Sequence, residues 1–328
     1  MPLRLAWTQD ELHKRTLVER VIARYARRVL RIAAIVSIAI AAIALVGIAL
    51  AEQALRPPVR PSDPADERAA RRAAAEHAAA FTDARLVAAD GVVLRAWTFD
   101  PPGARGTVLA LHGIGDTRAS QVPLAGLLLG HGYRVVAPDW RRHGASGGAL
   151  ATYGVLERGD LRAWSAWIRD RHPDECVFAV GASLGGAIAL QSLDAEPFCA
   201  VVAEAPYATF RGTAALRVSR QLGLSAGFGR VAASAFIEAG LAYARLRYGL
   251  ALWSANPIDA LRASRVPVLL IEDGADDLVP PGDAGRLASA NPRAITRWTV
   301  PGAWHVGAWG AAPVEYPKRV LAFLAAHQ

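Results

Sequence analysis

Apolar and polar positions along this chain fall into three regimes. Residues 32–51 (IAAIVSIAIAAIALVGIALA) are an unbroken apolar run of twenty positions, with Ser37 the only polar side chain. At 1.5 Å per residue an α-helix of that length spans about 30 Å, the thickness of a bilayer's hydrocarbon core. The run therefore predicts a transmembrane helix. Residues 56–64 (RPPVRPSDP) carry four prolines and predict an extended spacer. Residues 65–80 have helix propensity but no stripe of large apolar side chains, which fits a surface helix or a helical stalk.

The third regime begins at Phe81. Two short strands, 86–89 and 92–99, flank Asp90-Gly91, a good hairpin turn. Short continuous apolar runs follow at 107–113, 133–138, 177–181, 199–204, 266–271 and 295–300. Helical patterns at 120–130, 154–171, 184–193 and 283–289 separate most of them. Apolar strands alternating with helices predict an α/β fold, its mostly parallel sheet covered by helices on both faces. Residues 207–265 form a longer helical insert between strands, either a cap over a site or packing. The organisation is thus a basic segment (1–31), a membrane helix (32–51), a proline-rich linker and helical stalk (52–80) and a folded domain (81–328).

Charge refines the membrane reading. The net charge is +8 over 328 residues, yet residues 1–31 hold eight basic residues against Asp10, Glu11 and Glu19, a net of +5. Excess charge beside an apolar run points to a membrane surface rather than to nucleic acid. Arg20, Arg24, Arg27, Arg28 and Arg31 precede the run, and the mixed set Glu52, Arg56 and Arg60 follows it. The positive-inside rule then places the N-terminus in the cytoplasm and the folded domain on the extracytoplasmic side. The competing reading is a cleaved secretory signal, for which Ala49 and Ala51 fit an A-x-A site. Apolar residues among the arginines, from Leu12 to Val29, suit an interfacial helix leading into the membrane.

The sharpest local signal is Gly181-Ala182-Ser183-Leu184-Gly185-Gly186, set between a predicted strand and a predicted helix. G-x-S-x-G in that setting is a nucleophile elbow, a tight turn that lifts a serine to the strand's carboxyl end. A serine nucleophile needs a base, and the base needs a carboxylate to fix its tautomer. His305 follows the last predicted strand, and Asp276 lies in the acidic segment Glu272–Asp277 after the preceding one, with Asp277 the alternative. Oxyanion donors are expected from the backbone N–H of Leu184 and from that of Ile114, after the strand TVLALHG. His112 in that loop is read as a structural hydrogen-bonder. Neither H-E-x-x-H nor an early G-x-G-x-x-G occurs, so neither metal nor nicotinamide chemistry is indicated, and no cofactor is expected.

Together these segments resemble the α/β-hydrolase superfamily over residues 85–328. Beyond the elbow, Leu111-His112-Gly113 resembles its oxyanion loop, and Asp139–Gly147 a structural stretch. Tyr153-Gly154 with Glu157 and Asp160 resembles a helix signature, and Glu204-Ala205-Pro206-Tyr207 a strand-end motif. Membrane-anchored, single-pass serine hydrolases are the most similar subgroup. The resemblance departs at Arg142 and Asp273, where glycine is usual, and at Trp304, where a small residue is usual. Trp304 is expected to narrow the acyl or leaving-group pocket. Of the three carboxylates Asp273, Asp276 and Asp277, two are expected to face solvent.

The resemblance and the residues imply hydrolysis through an acyl-enzyme on Ser183, with carboxylic esters as the default substrate. A lipid-directed thioesterase, a peptidase and a non-catalytic anchored binding protein are the alternatives. Arg118, Arg141 and Arg142 are candidates for recognising acidic substrates. The resemblance also makes the strands that follow Cys176 and Cys199 parallel neighbours. An exported domain would permit a disulfide there, and two buried thiols are the alternative.

Overall fold

In a computed structural model of the chain, residues 9–61, 63–223 and 228–328 are described. The elements run in the order α1 (Gln9–Leu55), α2 (Pro64–Glu76), β1 (Ala80–Val87), β2 (Val93–Asp100), β3 (Thr107–Leu111), α3 (Val122–Leu129) and β4 (Arg134–Pro138). Then come α4 (Glu157–Arg169), β5 (Val177–Ala182), α5 (Leu184–Gln191), β6 (Ala200–Glu204), α6 (Phe210–Gln221), α7 (Phe228–Tyr248) and α8 (Pro257–Ala263). The chain closes with β7 (Val268–Asp273), α9 (Asp283–Ala290), β8 (Ile295–Val300), α10 (Ala308–Ala311) and α11 (Glu315–Ala325).

The strands form one eight-stranded sheet in the order β1-β2-β4-β3-β5-β6-β7-β8. The β1–β2 hairpin turns at Asp90-Gly91, with Gly91 at a positive φ of 82°. β2 pairs antiparallel with β4, and from β4 to β8 every pair is parallel. Alternate residues of each central strand serve opposite cores. In β3, Leu109 and Leu111 join one cluster while Val108 and Ala110 join the other. Helices cover both faces, so both sets are buried, and this is why the strands read as continuous apolar runs.

The insert at 207–265 is helical, carrying α6, α7 and α8. The C-terminal helix α11, not foreseen from the sequence, buries Tyr316, Val320 and Leu324 four residues apart. Cys176 and Cys199 are joined as a disulfide with 5.7 Å between their Cα atoms. The bond lies where β5 and β6 begin. Ser183 sits at the other end of β5, about 20 Å away along the strand. Closing a 23-residue separation is worth roughly 3 kcal/mol.

The N-terminal part departs from the sequence reading. One helix, α1, runs 47 residues without a break, about 70 Å, so no separate interfacial helix precedes the apolar run. Residues 1–8 of the basic segment lie outside the described residues. The helix carries a stretch long and apolar enough to cross a membrane, and its apolar side chains stand exposed from Leu17 to Ile40 and again at Leu45.

The expected linker does not hold the domain at a distance. Leu55 is fully buried, its carbonyl accepts from Ala151 N at 2.9 Å, and the Tyr153 hydroxyl donates to the Ala54 carbonyl at 2.9 Å. Arg60 N donates to Gly115 O at 2.8 Å. The proline-rich stretch lies along the domain because extended backbone makes no internal hydrogen bonds, which leaves its carbonyls and the Arg60 amide free to bond to the domain. Helix α2 is a surface helix rather than a stalk. Asp63 caps it by accepting from Ala65 N at 2.7 Å, Pro64 opens it, and Ala70 and Ala74 are buried.

Helix α1 crosses α7 where both are small. A Cβ on Gly47 would lie 2.6 Å from the Phe236 carbonyl, and one on Gly240 would lie 2.8 Å from the Gly47 carbonyl. Only glycine permits so close an approach of two backbones.

Candidate active site

The turn between β5 and α5 is built around Ser183, which has φ 51° and ψ −114°. A positive φ in a non-glycine residue costs on the order of 1–3 kcal/mol and persists only where its surroundings enforce it. Here they do. A Cβ on Gly185 would fall 2.3 Å from the Leu111 carbonyl oxygen, and one on Gly181 would fall 2.5 Å from the Gly185 carbonyl carbon. Ser183 N donates to Glu204 O at 2.8 Å, which fastens the turn to the end of β6.

His305 lies in the loop after β8. Its Nε2 is 2.8 Å from Ser183 Oγ and its Nδ1 is 2.7 Å from Asp276 Oδ2. Asp276, beyond the end of β7, also accepts from Leu278 N at 2.7 Å and Val279 N at 3.1 Å. Burial pushes its carboxyl up, but the His305 hydrogen bond and charge and those two amides outweigh burial and hold it below the ordinary value. It stays ionised and fixes the imidazole so that Nε2 faces the serine. Asp277 instead points to solvent, with Arg220 3.2 Å away. The three groups converge because β5, β7 and β8 are parallel and end on the same edge of the sheet, with β6 between β5 and β7.

Two further buried carboxylates hold the histidine loop from behind. Asp273 accepts from Val306 N at 2.6 Å and Gly307 N at 3.4 Å. Glu204 accepts from Ala308 N at 3.0 Å and from the Tyr316 hydroxyl at 2.9 Å. Asp273 is thus buried and not turned to solvent as expected; of the three acids only Asp277 is. Burial, and then the nearby Glu204 charge, raise Asp273 to about 7 against the pull of the two amides. Its Oδ1 has no partner. Burial likewise raises Glu204.

The loop after β3 is held by two buried histidines. His112 Nε2 accepts from Trp140 N at 3.1 Å, and Trp140 Nε1 donates to His112 O at 2.9 Å. Burial lowers His112 to about 3, with the adjacent His143 adding to the effect, so the ring is neutral and structural. His143, which the sequence did not single out, accepts at Nε2 from Gly115 N at 3.1 Å. Ile114 in this loop and Leu184, the first residue of α5, both border a pocket of about 20 Å³ at Ser183. The first amides of a helix lack intrahelical partners, so the Leu184 N–H is available to an anion.

Other pocket residues were not legible beforehand. Tyr153, Tyr207, Thr213 and Arg217 line it together with Leu278 and Val279. Trp304 does not: it is 69% exposed. Arg118, Arg141 and Arg142 also lie elsewhere. Arg118 bonds Asp83 at 2.7 Å and Arg141 bonds Asp160 at 2.6 Å, while Arg142 reaches the Pro57 carbonyl at 3.5 Å. Of the arginines, Arg217 of the insert borders the pocket. Among the described residues, no three His, Cys, Asp or Glu side chains are grouped to hold a metal.

The raised Asp273 makes stability depend on pH. Folding lifts this acid from 3.8 to about 7, so between about pH 4 and 7 the native state binds more protons than the unfolded chain. Its contribution is full below that window and falls as pH rises through it. Asp273→Asn, which cannot ionise, is expected to gain on the wild type by roughly 1–3 kcal/mol between pH 5 and pH 8.5. Denaturant melts at the two pH values check this, and an equal difference at both would contradict it.

Comparison with known proteins agrees with this geometry. Residues 106–236 match the family profile described as the alpha/beta hydrolase fold. The esterase Pf2001 of Pyrococcus furiosus superposes with a TM-score of 0.65 at 25% identity, over 83% of this chain and 98% of that one. An uncharacterized protein of Bacillus subtilis, YqkD, is 24% identical over 208 residues, 62% of this chain and 65% of that one, just under two thirds of its length. An uncharacterized protein of Mycobacterium tuberculosis is 27% identical over 222 residues, 66% of this chain and 69% of that one. By its sheet order, its elbow and these likenesses, the chain has the α/β-hydrolase fold.

Proposed function

We propose that this chain is a serine hydrolase of carboxylic esters that works through an acyl-enzyme. The observation that carries the reading is the hydrogen-bonded row Ser183–His305–Asp276. Ser183 Oγ attacks the ester carbonyl carbon as His305 Nε2 takes its proton. The resulting oxyanion accepts from the N–H groups of Leu184 and Ile114, and Asp276 stabilises the imidazolium. Collapse breaks the bond to the alkoxy oxygen, which leaves as an alcohol with the proton from His305. Water then attacks the acyl carbonyl, again giving a proton to His305. Serine departs with that proton, and a carboxylic acid is released.

Thioesters and amides fit the same groups. Esters are preferred because an alcohol needs less assistance to leave than an amine does. The likeness to the Pyrococcus esterase supports the same choice. A fluorophosphonate probe is expected to label the wild type on membranes and to spare Ser183→Ala. Ester turnover, as kcat/KM, should fall about 10⁴-fold or more in Ser183→Ala and His305→Ala, about 10²–10⁴-fold in Asp276→Asn, and less than about twofold in Asp277→Asn. Unchanged turnover in Ser183→Ala would overturn the reading.

The same reading makes α1 a signal-anchor, with the N-terminus in the cytoplasm, the hydrolase domain outside and membrane lipid around the apolar run. The arginine bias before the run supports this. So does the disulfide, which persists in oxidising compartments. In acid-quenched cells Cys176 and Cys199 should resist alkylation until a reductant is added. Free thiols in the native protein would argue against export.

A further inference from the structure

A second cavity, of about 210 Å³, lies beside the Ser183 pocket. The two share Tyr153, Thr213 and Arg217 as walls, so the cavity adjoins the serine pocket across these three side chains. The Ser183 pocket itself, at about 20 Å³, has room for little more than the reacting group. For scale, an apolar cavity of ~150 Å³ admits a benzene ring.

One wall of the larger cavity is the N-terminal helix. Gly47, Leu50, Ala51 and Ala54 of α1 face into it, the last two turns of the helix. Phe236 and Ile237 of α7 and Val218 of α6 stand opposite. The first three α1 residues belong to the apolar run 32–51, whose last exposed large side chain is Leu45, one turn or less before the cavity begins. If that run crosses a bilayer, the cavity opens at the level where the helix leaves it. Gln221 and Gln53 hydrogen-bond at 2.9 Å between α6 and α1 beside this wall.

From this adjacency, and from the part α1 takes in the cavity wall, we propose that the cavity holds the acyl chain of a membrane-resident ester and that the membrane helix is itself part of the substrate site. The chain of a lipid would pass from the bilayer along α1 into the space between α1, α6 and α7. Its carbonyl would then lie at Ser183 without the chain crossing water. The domain is held close against α1, rather than on a spacer, as this arrangement requires. The inference rests on the ester-hydrolase reading for its chemistry, but the cavity and its walls do not depend on it.

The test uses full-length protein in detergent micelles and a series of p-nitrophenyl esters from acetate to dodecanoate. The wild type is expected to prefer long chains. Ala54→Phe and Ala214→Phe, on the α1 and α6 walls, should each lower the decanoate-to-acetate ratio of kcat/KM about tenfold. That is the loss expected when roughly two methylene groups are turned out of an apolar pocket. An unaltered ratio in both variants would overturn the proposal.

A second measurement is independent of turnover and of how those variants fold. Ser183→Ala in vesicles is irradiated with a phospholipid bearing a diazirine near the carboxyl end of its acyl chain. Crosslinks are expected within 47–54 or 236–241, and crosslinks confined to 17–45 would overturn the proposal. Acetate hydrolysis with a flat chain-length profile and no cavity crosslink would remove this inference and leave the hydrolase standing. Cavity crosslinks in a protein whose wild type hydrolyses no ester would do the reverse.

Discussion

The strained turn at Ser183 is the constraint on which the rest of the structure depends. A serine at φ 51° is stable here because Gly181 and Gly185 leave no Cβ to collide with the backbone of α5 and of the β3 loop. The same close packing brings the amides of α5 and the loop carrying Ile114 to the serine's two sides. It also fixes the serine at the carboxyl end of β5, so His305 and Asp276 must come from the corresponding ends of other strands in the sheet, β8 and β7. A parallel sheet satisfies this requirement by construction.

What steadies the reacting groups is a layer of buried polar groups, each in the charge state its surroundings favour. His112 is neutral because it is buried, and as a neutral ring it accepts from the Trp140 amide. Asp273 and Glu204 are raised by burial and grip the backbone on the far side of His305. Asp276 alone of these acids is lowered, because it faces the imidazole and two amides. Two acids three positions apart are thus driven in opposite directions. In the proposed mechanism the lowered one orients the base and the raised one positions its loop.

Much of this was legible in the sequence because the signals are local. The Asp90-Gly91 hairpin, the six later strands, the elbow and the segments that carry the acid and the histidine are each written within a few residues. The contacts that were not legible arise between distant segments. Gly47 and Gly240 read as ordinary helix glycines until the helices cross. Proline-rich residues 56–61 read as a spacer until the Arg60 amide meets the Gly115 carbonyl. Trp304 sits next to the histidine in sequence, yet it is exposed. Arg217 lies in a helix whose place over the site no periodicity discloses. Helix α11 is short, and its stripe of Tyr316, Val320 and Leu324 is thin.

The central claim is that the carbonyl of a substrate becomes covalently attached to Ser183. Rapid acid quenching of the wild-type protein during turnover of a slowly deacylating ester, followed by peptide mass spectrometry, tests it directly. The account predicts a mass increase equal to the acyl group on the peptide carrying Ser183, absent in Ser183→Ala and accumulating in step with the burst of alcohol released. Turnover with no adduct at any quench time, or an adduct on another residue that persists in Ser183→Ala, would contradict it.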